Sequence, residues 1–167
     1  ANEISNGKAV GWFQGRMEFG PRSLGGRSII ADPRNSKMQK NLNLKIKFRE
    51  SFRPFAPSIL LEKISDWFEF KGESPYMLIV SQVLKDKLLK KKKYDKNGLS
   101  KINELRSKIP SVTHIDNSAR IQTVNRNDNK IYYDLIKEFY NLTNVPMLIN
   151  TSFNIRGEPI VCTPKDA

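Results

Sequence analysis

Two pairs of residues spaced i, i+2 carry side chains suited to phosphate chemistry: Lys47 with Arg49, and Ser152 with Asn154. On an extended backbone a Lys-x-Arg pair projects both cations to one face, where an ammonium point charge and a guanidinium fork can hold phosphate oxygens together. Spacing alone leaves a solvated strand edge equally open, because Lys-x-Arg is common in basic proteins. Arg53 lies four residues beyond Arg49 in an apolar, proline-rich stretch, where an arginine is not simply filling a polar surface. Ser152 and Asn154 follow the apolar run 146–149, which places them where a sheet strand finishes, and ligand groups favour strand ends. Asn150 and Thr151 add donors and acceptors at the same place, with an ordinary Asn/Ser/Thr turn as the alternative.

Arg16, Arg22 and Arg27 stand in a glycine-containing stretch, RMEFGPRSLGGRS (16–28), whose backbone can approach an anion closely. It lacks the glycine-lysine-hydroxyl ending of a Walker A loop, so by itself it marks only an anion site. Arg120 follows Asp116 and Ser118, and a lone strand arginine is more commonly a surface residue. His114 has no visible partner and alternates within an expected strand, which favours a structural role. No Ser-His-Asp arrangement, paired carboxylates or reactive cysteine emerges; cation, hydroxyl and amide recur, a set that fits phosphate-containing substrates.

The elements that must position these residues read as an α/β pattern. Strands are expected at 10–13, 28–31, 59–61, 76–83, 112–115, 119–124 and 145–149, with a helical turn at 64–68. Ser36 is placed as the N-cap of a helix carrying Met38, Leu42 and Ile46 on one face. The two prolines of 47–58 predict an extended stretch, and 130–142 an amphipathic helix burying Ile131, Leu135, Ile136 and Phe139. The closing segment has no evident stop, as expected of a piece of a longer chain.

At 167 residues the chain suits one domain with a sizeable core. No apolar run approaches the roughly 20 residues that cross a bilayer, and the N-terminus does not read as a secretory signal, so a cytoplasmic protein without membrane anchoring is expected. One cysteine and one histidine exclude an internal disulfide and a soft-metal cluster. The net charge of +12 is concentrated: residues 85–108 hold ten Lys/Arg against three Asp/Glu. Such a segment reads as a lysine-rich surface insertion.

Four ordered stretches, RMEFGPRSLGGRSIIADPR (16–34), KFRESFRPFAPS (47–58), SVTHIDNSARIQTV (111–124) and NTSFNIRGEPIVCTPKDA (150–167), together resemble the C-terminal domain of carbamoyltransferases. That family includes the nodulation-factor and antibiotic O-carbamoyltransferases. The resemblance implies a single YrdC-like α/β (α+β) domain over 1–167: a twisted mixed sheet with flanking helices and an open basic concave face. It also implies binding of carbamoyl phosphate and ATP, with Mg²⁺, to form carbamoyl adenylate and pyrophosphate. A larger N-terminal domain of the actin-like ATPase class, absent from this chain, would then transfer the carbamoyl group to a hydroxyl of a small molecule or saccharide.

Residue by residue, Lys47 and Arg49 resemble the K-x-R pair of YrdC-like sites, and Ser152 and Asn154 its S-x-N pair. Arg22, Arg120 and Asn150 match further ligand-contacting positions. The resemblance thus implies catalytic roles for Lys47, Arg22, Arg120 and Ser152, and substrate or nucleotide binding by Arg16, Arg49, Arg53, Asn150, Thr151 and Asn154, with no metal ligand assigned from the protein. Gly26 stands where relatives often carry a larger polar residue, and Asn117-Ser118 replaces a more usual glycine and threonine. Two other readings are a basic nucleic-acid-binding module, disfavoured because only Tyr94 adjoins the run Lys90 to Lys93, and a threonylcarbamoyl-adenylate synthase, which lacks the ARIQTV and GEPIV motifs.

Overall fold

The computed structural model describes residues 1–90 and 105–167. Six short segments rich in apolar and β-branched residues form strands: β1 (Val10–Phe13), β2 (Arg27–Ala31), β3 (Ala56–Leu60), β4 (Ile79–Gln82), β5 (Ser118–Val124) and β6 (Met147–Ser152). They pair into one open sheet in the order β1-β2-β6-β3-β5-β4. Every pairing is antiparallel except that of β3 with β5. With the helices α1 (Asn2–Ser5), α2 (Met38–Lys45) and α3 (Lys130–Thr143), this is the mixed α/β architecture expected. Among the described residues no helix is long and apolar enough to cross a membrane.

Register decides which side chains share a face. Ser58 lies beside Gln122 and Asn150 beside Ala56, so the alternation of strand side chains puts Ser58, Gln122, Asn150 and Arg120 on one face. Helix α3 crosses this face. Asn129 caps it by accepting from the Tyr132 amide at 3.1 Å, Asn144 closes it in the left-handed conformation, and Tyr132, Ile136 and Phe139 are buried beneath it. The expected Ile131 is instead half-exposed, because the packed stripe begins one residue later, at Tyr132. Burial raises the Tyr132 hydroxyl pKa, and the nearby Ser58 hydroxyl opposes that shift.

The tyrosine ring supports the arginine-containing loop from below. Gly25, at φ +111°, leaves no room for a Cβ, which would sit 2.4 Å from the Tyr132 ring. Both conformation and contact therefore require glycine. Gly25→Ala is expected to destabilise by about 2–5 kcal/mol, a fall in Tm of roughly 5–15 °C, measured by thermal unfolding. Glu18 fixes the same loop by accepting from the Leu24 and Gly26 amides at 2.6 and 2.7 Å. Gly26 is packed against that carboxylate.

Three local expectations are corrected. Ser36 is not the cap of α2; the cap position is Lys37, which makes no side-chain cap bond, and its amide donates to Asn35 Oδ1 at 3.0 Å in the turn before the helix. Residues 112–115 form no strand, because Pro110 opens a 3-10 turn, Pro110–Val112, that leads into the turn at His114 to Ser118. Asn117 takes φ +65° in that turn, a conformation asparagine tolerates and glycine adopts freely. The stretch after α2 is not extended at its start, since Phe48 has φ +46°. Most of the lysine-rich segment, 91–104, lies outside the described residues. The described residues on either side of it meet, with the Leu89 amide donating to the Arg106 carbonyl and Leu88 bridging Ser107.

A candidate anion-binding site at the end of the sheet

The end of α2, the loop at 21–23 and the last residues of β6 converge beside β5. Here Arg22, Arg49 and Arg120 line a cavity of about 130 Å³ together with Ser23, Asn150, Thr151 and Ser152, and no carboxylate lines it. Three buried polar atoms at this wall have no hydrogen-bond partner among the described residues: Ser23 Oγ, Arg120 Nε and Asn150 Oδ1. Buried polar groups are ordinarily paired, so a cluster of orphans is the mark of a site completed by something else.

The electrostatics agree. Burial, and after it the nearby Arg22, lowers the Arg120 pKa. Burial and then Arg53 lower that of Arg49. Arg49 is oriented rather than neutralised: its Nε donates to Asn43 Oδ1 at 2.6 Å, and its guanidinium lies over the Phe55 ring, 5.0 Å from the centroid. Asn43 is held in turn by the Ser51 and Arg53 carbonyls. Uncompensated cations held this way cost stability in the empty protein and attract anions strongly.

Lys47 is the buried centre of an adjoining arrangement. Its ammonium donates to the Ser152 carbonyl, to Ser152 Oγ at 3.2 Å, to the Asn154 carbonyl at 2.9 Å and to Asn154 Oδ1 at 2.8 Å. All four acceptors are neutral, so the charge is hydrogen-bonded but not paired. Burial and the neighbouring Arg49 push its pKa down to about 8. The Lys-x-Arg and Ser-x-Asn pairs are therefore in contact across a separation of more than a hundred residues. The left-handed Phe48, not an extended strand, brings Lys47 and Arg49 to one place. A second cavity, about 300 Å³, is lined by Lys47, Asn154, Glu50, Arg53 and Arg156, and it shares Arg49 and Ser152 with the first. Arg53 is exposed there and paired with Glu50 at 3.1 Å.

Two arginines of the 16–28 stretch lie apart from this cluster. Arg16 is exposed and lines a separate cavity of about 960 Å³ with Glu18 and Lys130. Arg27 is a structural residue, stacked on Phe13 at 3.5 Å and donating to the Gln14, Gly15, Gly26 and Cys162 carbonyls. His114 is exposed and reaches Asp116 at 3.2 Å. Ser23, Gln122 and Ser58 escape sequence reasoning, because only the sheet register and the loop closure bring them together.

The carbamoyltransferase C-terminus family model matches residues 1–167. The chain belongs to that family. An uncharacterized protein of Synechocystis sp., sll1178, is 59% identical over 169 residues, spanning 100% of this chain and 28% of that protein. Nodulation protein NolNO of Sinorhizobium fredii is 43% identical, over 100% of this chain and 22% of its own length. Nodulation protein NolO of Bradyrhizobium diazoefficiens is 42% identical, over 100% and 28%. The chain thus spans about a quarter of the length of these relatives.

Proposed function

We propose that this carbamoyltransferase-family domain binds carbamoyl phosphate in the smaller cavity and the phosphates of ATP in the larger, and joins them as carbamoyl adenylate. The observation that carries this is the wall of the smaller cavity: three arginines, no carboxylate, and buried unpartnered Ser23, Arg120 and Asn150 atoms. That wall suits a small dianion bearing one further polar group. Arg22, Arg49 and Arg120 would hold the phosphoryl oxygens, and Ser152, shared by both cavities, stands where the two substrates meet.

The balanced reaction consumes a water. The carbamoyl phosphate phosphoryl group departs as orthophosphate, and the freed carbamate oxygen attacks the α-phosphorus of ATP. Pyrophosphate leaves as the new O–P bond forms. The protein's part is to hold the reactants in line and offset the growing negative charge, the work of Lys47, Arg49 and Arg53 around the larger cavity. Among the described residues no group of three or more His, Cys, Asp or Glu could hold a metal. Glu50 is the single carboxylate lining the larger cavity, which fits Mg²⁺ carried mainly by the nucleotide's phosphates and neutralising them. Transfer of the carbamoyl group to a hydroxyl would fall to the remainder of a longer protein, as would choice of acceptor.

The test follows orthophosphate and pyrophosphate release together. Both are expected to require carbamoyl phosphate, ATP and Mg²⁺, in equal amounts, and to fall at least a hundredfold in Arg49→Met. Release of either from ATP alone at the same rate would refute the proposal.

A further inference from the structure

A relay of amides behind the smaller cavity fixes which atom of Asn150 can meet a ligand. Asn150 Nδ2 donates both of its hydrogens within the protein, to the Ser23 carbonyl at 3.0 Å and to Gln122 Oε1 at 2.8 Å. Gln122 Nε2 donates to the Leu24 carbonyl at 2.9 Å, and Ser58 Oγ donates to Gln122 Oε1 at 2.5 Å. Backbone carbonyls accept only. The Ser23 and Leu24 carbonyls therefore force the nitrogen of each amide toward themselves, and neither amide can flip without setting oxygen against oxygen. What remains is Asn150 Oδ1, buried, unpartnered, and belonging to a residue of the cavity wall.

This makes the cavity chemically lopsided. Its arginines are donors only, while Asn150 Oδ1 is an acceptor only. A ligand that satisfies both ends must carry phosphoryl oxygens and, next to them, an N–H or O–H donor.

We infer that the Ser58–Gln122–Asn150 relay is the specificity device of the smaller cavity, selecting an acyl phosphate that bears an amide N–H₂ over one that bears a methyl group. The inference rests on the proposed binding of carbamoyl phosphate there. Asn150 makes the contact, and Gln122 and Ser58 are positioning residues that keep its oxygen outward. A methyl group of the same size leaves Asn150 Oδ1 buried and unpaired, and sites built to bond a polar group reject the analogue that lacks it.

The test is calorimetric titration of the chain with carbamoyl phosphate, acetyl phosphate and inorganic phosphate. Acetyl phosphate, isosteric and equally charged, is expected to bind at least about tenfold more weakly than carbamoyl phosphate. In Gln122→Met that ratio is expected to fall toward one while inorganic phosphate affinity stays within about threefold, a pattern that general loss of structure would not produce. Gln122→Glu supplies a second handle should the methionine variant unfold. A carboxyl at 122 can still accept from Asn150 and Ser58, and when neutral can donate to the Leu24 carbonyl, so this variant is expected to keep the discrimination that Gln122→Met loses. Equal affinity of the wild-type chain for the carbamoyl and acetyl compounds overturns the relay and leaves the proposed substrate standing. Binding of inorganic phosphate with none of carbamoyl phosphate overturns both.

Discussion

Arg120→Met is expected to raise the melting temperature while weakening anion binding roughly 10- to 100-fold. Arg120 sits on β5 with Nε buried and unpartnered, and among the described residues its side chain makes one hydrogen-bond contact, a 3.8 Å approach of Nη2 to the Met77 sulfur. Its charge is desolvated and faces Arg22, not a carboxylate. Methionine has similar reach, prefers that apolar contact and removes a like-charge repulsion, so the folded state gains on the order of 1 kcal/mol, or about 2–4 °C in Tm. The same change removes a charge-assisted donor from the anion cavity, with an expected loss of roughly 10- to 100-fold in affinity. Thermal unfolding and phosphate titration read the two signs separately. A variant that loses stability and keeps affinity would make Arg120 an ordinary structural arginine.

Lys47→Met is expected to move both quantities downward. Its ammonium ties the loop after α2 to Ser152 and Asn154, and methionine leaves four oxygens without that donor. A loss of about 1–3 kcal/mol and at least tenfold in phosphate affinity follows. The wild-type pH dependence adds a second signature. With Lys47 titrating near 8, its protonated fraction falls about tenfold between pH 7 and pH 9, and anion affinity should fall with it. In Lys47→Met the residual affinity should stay flat over that range. Stability runs the other way. The folded pKa lies below the unfolded one, so between about 8 and 10.5 the unfolded chain binds more protons, and the Lys47 contribution to stability rises with pH. That contribution is full above the unfolded value and is lost as pH falls through 8.

The site residues were legible in the sequence by type and grouping more than by geometry. Lys47, Arg49, Ser152 and Asn154 meet, yet Phe48 turns the chain through the left-handed region where an extended strand was expected. Arg22, Arg120, Asn150 and Thr151 line the same small cavity, whereas Arg16 and Arg27, indistinguishable from Arg22 by composition, lie elsewhere. Periodicity located α3 and five of the strands closely, but it could not tell Ile131 from Tyr132. The deciding factor is Gly25, more than a hundred residues away, whose missing Cβ makes room for the tyrosine ring. The amide relay was invisible for the same reason: Ser58, Gln122 and Asn150 become neighbours only through strand register.

Calorimetric titration of carbamoyl phosphate into the wild-type chain and into Arg120→Met tests the central claim most directly. The account predicts one saturable site in the wild-type chain, displaced by inorganic phosphate, and an affinity weakened roughly 10- to 100-fold in the variant, which remains folded. Equal binding by both proteins, or none by either while the wild-type chain is folded, would contradict it.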